Sequence, residues 1–435
     1  MLLSHGADPN STDTAGLTPL LRICSHGYSD HTDLAKMLLE LDSDEYPAAD
    51  RVDAQDPMDR TALHWTATRD KKRLAEVLLR AGANECLAKQ LEARDNRGNT
   101  PLLLALKNPV DKKETVESLL KRGADPNAAM RNDGSTPLQV ICDRFEDDGL
   151  LERFFEICEE INKTVLVDAF NDRGETAEGS TLLHVICNKN RDDKSAKILF
   201  KICDDIHRTV QVDAEDNDGN TALQLAVANI LPNTVDVLLN HGADLSKCRF
   251  PTIIDPKWSY FGNNGLLRAA SGALAVAEHL ETRGYDFSRS DALTIMQFFA
   301  KHGLFEKSSD LIRYGCNNKT FAKEVKKIKI NSSLSLYDLI QLRPEEEEKL
   351  LTYMDYFIFA SRGIGPYYRS NYTTFNVFLH MYEKLSRGFF RRWALGPFRE
   401  LIHERLPLEC CEMVLENLNN RDLGNICAAV AGQSS

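Results

Sequence analysis

Asp95-Asn96-Arg97-Gly98-Asn99-Thr100-Pro101-Leu102-Leu103 sets a tight turn directly against a helix start. Asp or Asn three residues before Gly is turn chemistry. Thr followed by Pro is an N-cap with a helix-compatible residue at the first helical position, and the leucines that follow begin a buried face. The same phrase recurs at Thr18-Pro19-Leu20-Leu21, Thr61-Ala62-Leu63-His64, Thr136-Pro137-Leu138-Gln139, Thr181-Leu182-Leu183-His184 and Thr221-Ala222-Leu223-Gln224. The turn recurs too, at Asp216-Asn217-Asp218-Gly219.

A second phrase closes some of these units: Ala81-Gly82-Ala83-Asn84, Arg122-Gly123-Ala124-Asp125 and His241-Gly242-Ala243-Asp244. Each follows a Leu-Leu pair, and the Gly reads as a left-handed helix C-cap. Thr61 to Gly82 and Thr221 to Gly242 are both 21 residues. The unit is therefore turn, short helix, second helix, capping Gly, stacked on copies of itself. His5-Gly6-Ala7-Asp8 opens the chain with the closing phrase. Residues 1–10 thus read as the end of a repeat, with the natural protein expected to begin further upstream.

The pattern resembles the ankyrin repeat, whose signature is Thr-Pro-Leu-His at a basic period of about 33 residues. Here successive Thr positions are 43, 39, 36, 45 and 40 apart, so the units are long. The surplus lies mostly after the second helix, where Phe155-x-Ile157-Cys158 and Phe200-x-Ile202-Cys203 begin near-duplicate stretches. Two worn copies are expected further on, one ending at Arg283-Gly284 and one running from Thr294 to Gly315. The resemblance implies that His64 and His184 bridge neighbouring units. Cys24, Cys142 and Cys187, each six residues after a repeat Thr, fall at the small-residue core position.

The chain carries 53 Lys+Arg against 65 Asp+Glu, a net charge of −12, which argues against nucleic acid or an anionic membrane as the main partner. Eleven cysteines in 435 residues are too few for a disulfide scaffold. No apolar run reaches the roughly 18 residues of a membrane span, and the N-terminus has no signal-peptide pattern. An intracellular protein is expected, cytoplasmic with the nucleus left open.

Past Asn318 the repeat signal fades. A Ser-capped helix is expected in 332–342 and another from Pro344, with Glu345 to Glu348 as its solvated acidic start. Gly363 to Tyr372 reads as a loop. Two helices are expected from Thr373 to Glu404, broken at Gly396-Pro397. The arginines 387, 391, 392, 399 and 405 make this segment locally basic, read as a solvated or salt-bridged face. Leu406-Pro407-x-Glu409 then opens a short helix with Met413, Val414, Leu415 and Leu418 as its stripe, followed by Asp422-Leu423. Cys410 and Cys411 are expected to divide between surface and core, and residues 428–435 to fray. This tail resembles the F-box opening. After an ankyrin array it is similar to the PRANC arrangement, which implies docking on the adaptor of a cullin-type ubiquitin ligase.

The expectation is an all-α chain: an ankyrin solenoid over 1–318, a helical connection over 319–372 and an F-box-like domain over 373–435. No P-loop, dinucleotide fingerprint, His-Glu-x-x-His or Cys-x-x-Cys pair occurs, so no enzyme chemistry, cofactor or metal site is expected. Cys203 and His207 stand four apart, with no second pair beside them. The leading reading is an adaptor. Ligase docking would use Leu406, Pro407, Glu409, Met413, Val414, Leu415, Leu418, Asp422 and Leu423. A target protein would meet the turn tips Asp95, Asn96, Arg97, Asn132, Asp133, Asn171, Asp172, Arg173, Asp216, Asn217 and Asp218. The alternative is a sequestering protein whose tail only caps the solenoid.

Overall fold

The computed structural model describes residues 8–27, 31–40, 48–81, 87–107, 113–131, 134–144, 149–167, 180–189, 192–254, 262–305, 319–342, 344–362 and 372–431. The structure is helical. Its β content among these residues is two isolated bridges, Glu215 with Thr221 and Lys329 with Ser335. None of its helices is long and apolar enough to cross a membrane. The chain divides into two compact units, Met1–Lys189 with Asp193–Ala222, and Asn190–Asp192 with Leu223–Ser435.

The first unit holds α1 (Pro19–Ser25), α2 (Thr32–Leu39), α3 (Ala48–Asp53), α4 (Ala62–Arg69), α5 (Lys72–Ala81), α6 (Leu87–Leu91), α7 (Pro101–Lys107), α8 (Lys113–Lys121), α9 (Pro137–Cys142), α10 (Leu150–Glu160), α11 (Leu182–Cys187) and α12 (Ser195–Asp205). These form two rows. The short helices α1, α4, α7, α9 and α11 pack in succession, and α2, α5, α8, α10 and α12 pack in a second row behind them. Each short helix starts where its Thr predicts. The Thr18 and Thr136 hydroxyls accept from the amides of Leu21 and Gln139. Leu20, Leu21, Leu63, Leu74 and Leu78 are buried between the rows. So are Cys24, Cys142 and Cys187, and burial pushes the Cys24 and Cys142 thiols up to about 12.

The lengthened second helices α10 and α12 end without glycine. Asn162 and His207 take the left-handed position instead, and the amides of Lys163 and Arg208 reach back to the carbonyls of Cys158 and Cys203 at 2.8 Å. Gly123 takes the same position after α8, at φ 106°. Gly82 lies outside the described residues.

The second unit holds α13 (Ala222–Ala228), α14 (Pro232–Asn240), α15 (Gly262–Thr282), α16 (Arg289–Lys301), α17 (Lys319–Val325), α18 (Leu336–Gln341), α19 (Pro344–Leu350), α20 (Tyr353–Arg362), α21 (Tyr372–Leu401), α22 (Leu408–Asn417) and α23 (Asn420–Ala431). α13 begins at the last residue of the first unit. Several sequence expectations change here. The copy ending at Gly284 is one continuous 21-residue helix, α15, rather than a helix pair. Its run of Gly, Ala and Ser contains no turn sequence, and it lets α20 approach closely. A Cβ on Gly272 would lie 2.8 Å from Ile230 and 3.1 Å from Phe357. Gly284 still caps the helix end, at φ 92°. Thr294 is not an N-cap but sits within α16, whose cap is Ser288 in a capping box with Asp291. Gly315 lies outside the described residues.

The expected break at Gly396-Pro397 is also absent. α21 runs 30 residues with Pro397 inside it. A proline there removes one amide donor, but it stands close to the helix end. Ala394 before it is buried, and Glu400 after it pairs with Arg289. The Glu run of α19 is not wholly solvated. Glu347 is buried and accepts the Tyr356 hydroxyl at 2.6 Å. Residues 428–431 do not fray but continue α23, with Val430 buried. The segment 363–371 lies outside the described residues.

Candidate protein-binding surfaces

Hydrogen bonding between repeats fixes where the turn tips stand. His64 Nδ1 accepts the Thr61 amide at 3.1 Å, so Nε2 carries the proton and donates to the Asn99 carbonyl at 3.1 Å. Burial holds the His64 imidazole below its ordinary value, in the neutral form this arrangement needs. His184 repeats the pattern with Thr181 and the Asn220 carbonyl. Gln139 does the same with its amide, accepting from Thr136 and donating to the Ser180 carbonyl. In each case the acceptor immediately precedes the next repeat's Thr. The expected bridging role of the two histidines is what the structure contains.

Each tip is folded by an aspartate. Asp95 Oδ1 accepts the amides of Arg97 at 3.0 Å and Asn99 at 2.8 Å, and Gly98 turns the chain at φ 77°. Asp216 holds Asp218 and Asn220 in the same way, with Gly219 at φ 77°. Adjacent tips also bond directly, the Asn96 amide to the Met58 carbonyl at 3.0 Å. These observations correct part of the expected target face. The Asp95 carboxylate is buried and occupied by its own hairpin, and Asp216 is half-buried in the same role. The Asp95 carboxylate is not presented to a partner, whereas Asn96, Arg97, Asn217 and Asp218 are exposed. Asn132, Asp133, Asn171, Asp172 and Arg173 lie outside the described residues.

Between these tips and the short helices lies a cleft of about 460 Å³. Met58, Leu104 and Met130 supply apolar lining, and Arg60, Arg97 and Lys107 supply cations. Met58 is 47 % exposed. Arg60 is fixed in place: it pairs with Asp56 at 2.8 Å and lies 3.9 Å over the Trp65 ring. Burial pushes the Asp56 carboxyl up, but hydrogen bonds from Arg60 and Met58 outweigh this and hold it below the usual carboxylate value. Sequence reading missed Met58, Leu104, Lys107 and Met130, because they come from three different repeats.

The tail stands in the second unit. Arg387 of α21 donates to the carbonyls of Leu418 at 2.5 Å and Glu416 at 2.8 Å, capping the C-terminal end of α22. Arg391 pairs with Glu416 at 2.8 Å. Arg392 pairs with Glu281 and Arg399 with Glu404, so three of the five arginines are ion-paired, Arg387 bonds helix carbonyls and Arg405 is exposed. Asn420 of α23 donates to the Glu383 carbonyl and to Ser386 Oγ. Asn419 and Asp422 exchange hydrogen bonds at the start of α23, so Asp422 caps that helix from inside it.

This seating divides the expected docking set. Leu415, 2 % exposed, and Leu423, fully buried, face inward with Cys411, and Leu418 is half-buried. Leu415 and Leu423 therefore cannot serve as presented anchors; they hold α22 and α23 in place. Leu406, Met413 and Val414 are exposed, Met413 at 65 %, and Pro407 and Glu409 are exposed beside them. Leu408, which the sequence reading left out, is exposed at the start of α22. Cys410 is exposed and Cys411 buried, as expected. Cys203 is buried and His207 stands beyond the end of α12 in left-handed geometry. Among the described residues no group of three possible metal ligands occurs.

The family model for ankyrin repeats matches three stretches, residues 1–89 and 48–130, which overlap, and residues 149–247. The chain is 37 % identical over 125 residues to neurogenic locus notch homolog protein 1 of Danio rerio, covering 28 % of this chain and 4 % of that protein. It is 34 % identical over 119 residues to the Homo sapiens protein of the same name, covering 27 % and 4 %. The chain thus spans about 4 % of the length of these relatives. Among solved structures, the ankyrin repeat domain of Bcl-3, a member of the IkappaB protein family, is similar at 20 % identity and a TM-score of 0.40, covering 55 % of this chain and 89 % of that one.

Proposed function

The chain belongs to the ankyrin-repeat family, and we propose that it is an adaptor that holds a target protein on its repeats and docks on a cullin-type ubiquitin ligase through α22. Ankyrin repeats are protein-binding modules, and the protein-binding role follows from family membership. The ligase half is the finer step. Its support is one observation: α22 leaves Met413 and Val414 exposed while Cys411 and Leu415 anchor its other side, and Leu406 and Leu408 are exposed at its start. An amphipathic helix that offers apolar residues on its open side suits a partner's groove. Holding target and ligase on one chain raises the local concentration of target lysines, so the protein supplies no catalytic residue.

Cys411, Leu415 and Leu423 are buried, which favours a second reading in which the tail only caps the protein and the repeats sequester their target. Reconstitution separates the two. Full-length protein mixed with the purified ligase adaptor subunit co-elutes on size-exclusion chromatography under the adaptor reading, and Val414→Asp abolishes co-elution without changing the circular dichroism spectrum. Separate elution of the folded wild-type chain leaves the capping reading.

A further inference from the structure

The adaptor reading does not say what kind of target the repeats hold. The Asp95–Gly98 tip is surrounded by cations, of which only Arg60 sits in a side-chain ion pair among the described residues. Arg97 is exposed and makes no side-chain ion pair among the described residues. Lys107 Nζ donates to the neutral Asn99 side chain at 2.9 Å. Arg94 spends its guanidinium on the carbonyls of Gly98 at 2.9 Å and Ala129 at 2.6 Å. Arg131, exposed, comes so near the tip that a Cβ on Gly98 would lie 2.7 Å from its own. Only Arg60 is balanced, by Asp56.

Against these stand Asp56, committed to Arg60, the buried Asp95, Asp59 at the neighbouring tip, and Glu92 beside Arg94. The cleft lining itself carries Arg60, Arg97 and Lys107 against one buried carboxylate, Asp95, within a chain of net charge −12. Its floor is not polar. Met58, Leu104 and Met130 line it, which gives an apolar residue a place to sit between the charges.

We infer that this cleft takes an acidic peptide segment carrying an apolar anchor. The carboxylates would pair with Arg97, Lys107 and Arg131, and the anchor would lie on Met58 and Met130. Guanidinium forks suit carboxylates because two N–H groups match two oxygens. A polyanion such as RNA offers charge, but the methionine floor favours a side chain over a ribose-phosphate backbone. The inference rests on the reading that the repeats form the target-binding half.

The test uses the full chain and a fluorescein-labelled synthetic peptide of glutamates flanking a central leucine pair. Saturable binding is expected, weakening as salt rises. Arg97→Glu with Lys107→Glu should weaken it at least about tenfold, a loss of about 1.4 kcal/mol. Arg97→Gln with Lys107→Gln, a milder change at exposed positions, should weaken it less. The lysine-for-glutamate counterpart should not bind. No binding, equal affinity for both peptides, indifference to the double substitutions, or stronger binding of a single-stranded RNA oligonucleotide would each overturn the inference. Titration of the same proteins with the ligase adaptor isolates the two claims. The charge-reversed variant should bind the adaptor like wild type, so loss of peptide binding alone leaves the tail reading standing.

Discussion

The His64 ring joins the Thr61 amide of its own repeat to the Asn99 carbonyl of the next, 35 residues on, using both nitrogens. One buried side chain thus fixes a helix start and the spacing of two hairpin tips. His64→Ala would orphan a buried donor and a buried acceptor, at a cost of about 2–4 kcal/mol. His64→Gln should recover most of it, since Gln139 makes the same pair of bonds two repeats later. Urea denaturation of the two variants checks this.

The same residue sets a pH dependence. Burial depresses the folded His64 value below the ordinary 6.5, so the folded state binds fewer protons than the unfolded chain. Its contribution is complete above 6.5 and is lost as pH falls below it. The urea midpoint should drop between neutral and mildly acidic pH, and drop less in His64→Gln.

His380 and Lys384, one turn apart on α21, form a second acid-sensitive pair. Burial, reinforced by the Lys384 charge, pushes His380 down to about 4. Lys384 Nζ in turn donates to the Leu339 and Leu342 carbonyls at 2.7 and 2.5 Å, closing the end of α18. Lys384→Met should destabilise the protein by about 1–3 kcal/mol through those carbonyls. It should also raise the His380 titration point, followed by imidazole NMR. An unchanged titration would remove Lys384 as a cause.

Two tip glycines share one backbone conformation and differ in their surroundings. Gly98 and Gly219 both stand at φ 77°, but a Cβ would strike Arg131 at Gly98 and meet nothing within 4 Å at Gly219. Gly219→Ala should cost about 1–2 kcal/mol from the left-handed conformation alone. Gly98→Ala should cost more, read as a lower melting temperature.

Caps, turns and the core cysteines were legible because each depends on a few neighbouring residues: Thr61 with His64, Asp95 with Gly98, Cys24 behind Thr18. The worn copies were not. Arg283-Gly284 carries a true helix end, but Gly262–Thr282 lacks the turn that a helix pair needs, and its small residues serve the approach of α20 instead. Nor does helical spacing tell which side of α22 faces inward. Arg387 decides that from 31 residues upstream of Leu418, and so Leu415 is buried while Met413 is open. The cleft escaped notice because Met58, Leu104 and Met130 meet only once the repeats stack.

Calorimetric titration of the purified cullin-ligase adaptor with wild-type protein, Met413→Asp and Leu415→Asp tests the adaptor claim most directly. Wild type should bind saturably. Met413→Asp, altering an exposed residue, should keep its melting temperature and lose at least about tenfold in affinity. Leu415→Asp should lose its fold along with its binding, since a buried apolar residue becomes a charge. Folded wild-type protein that gives no heat of binding, or a folded Met413→Asp that binds as well as wild type, would contradict docking through the open face of α22.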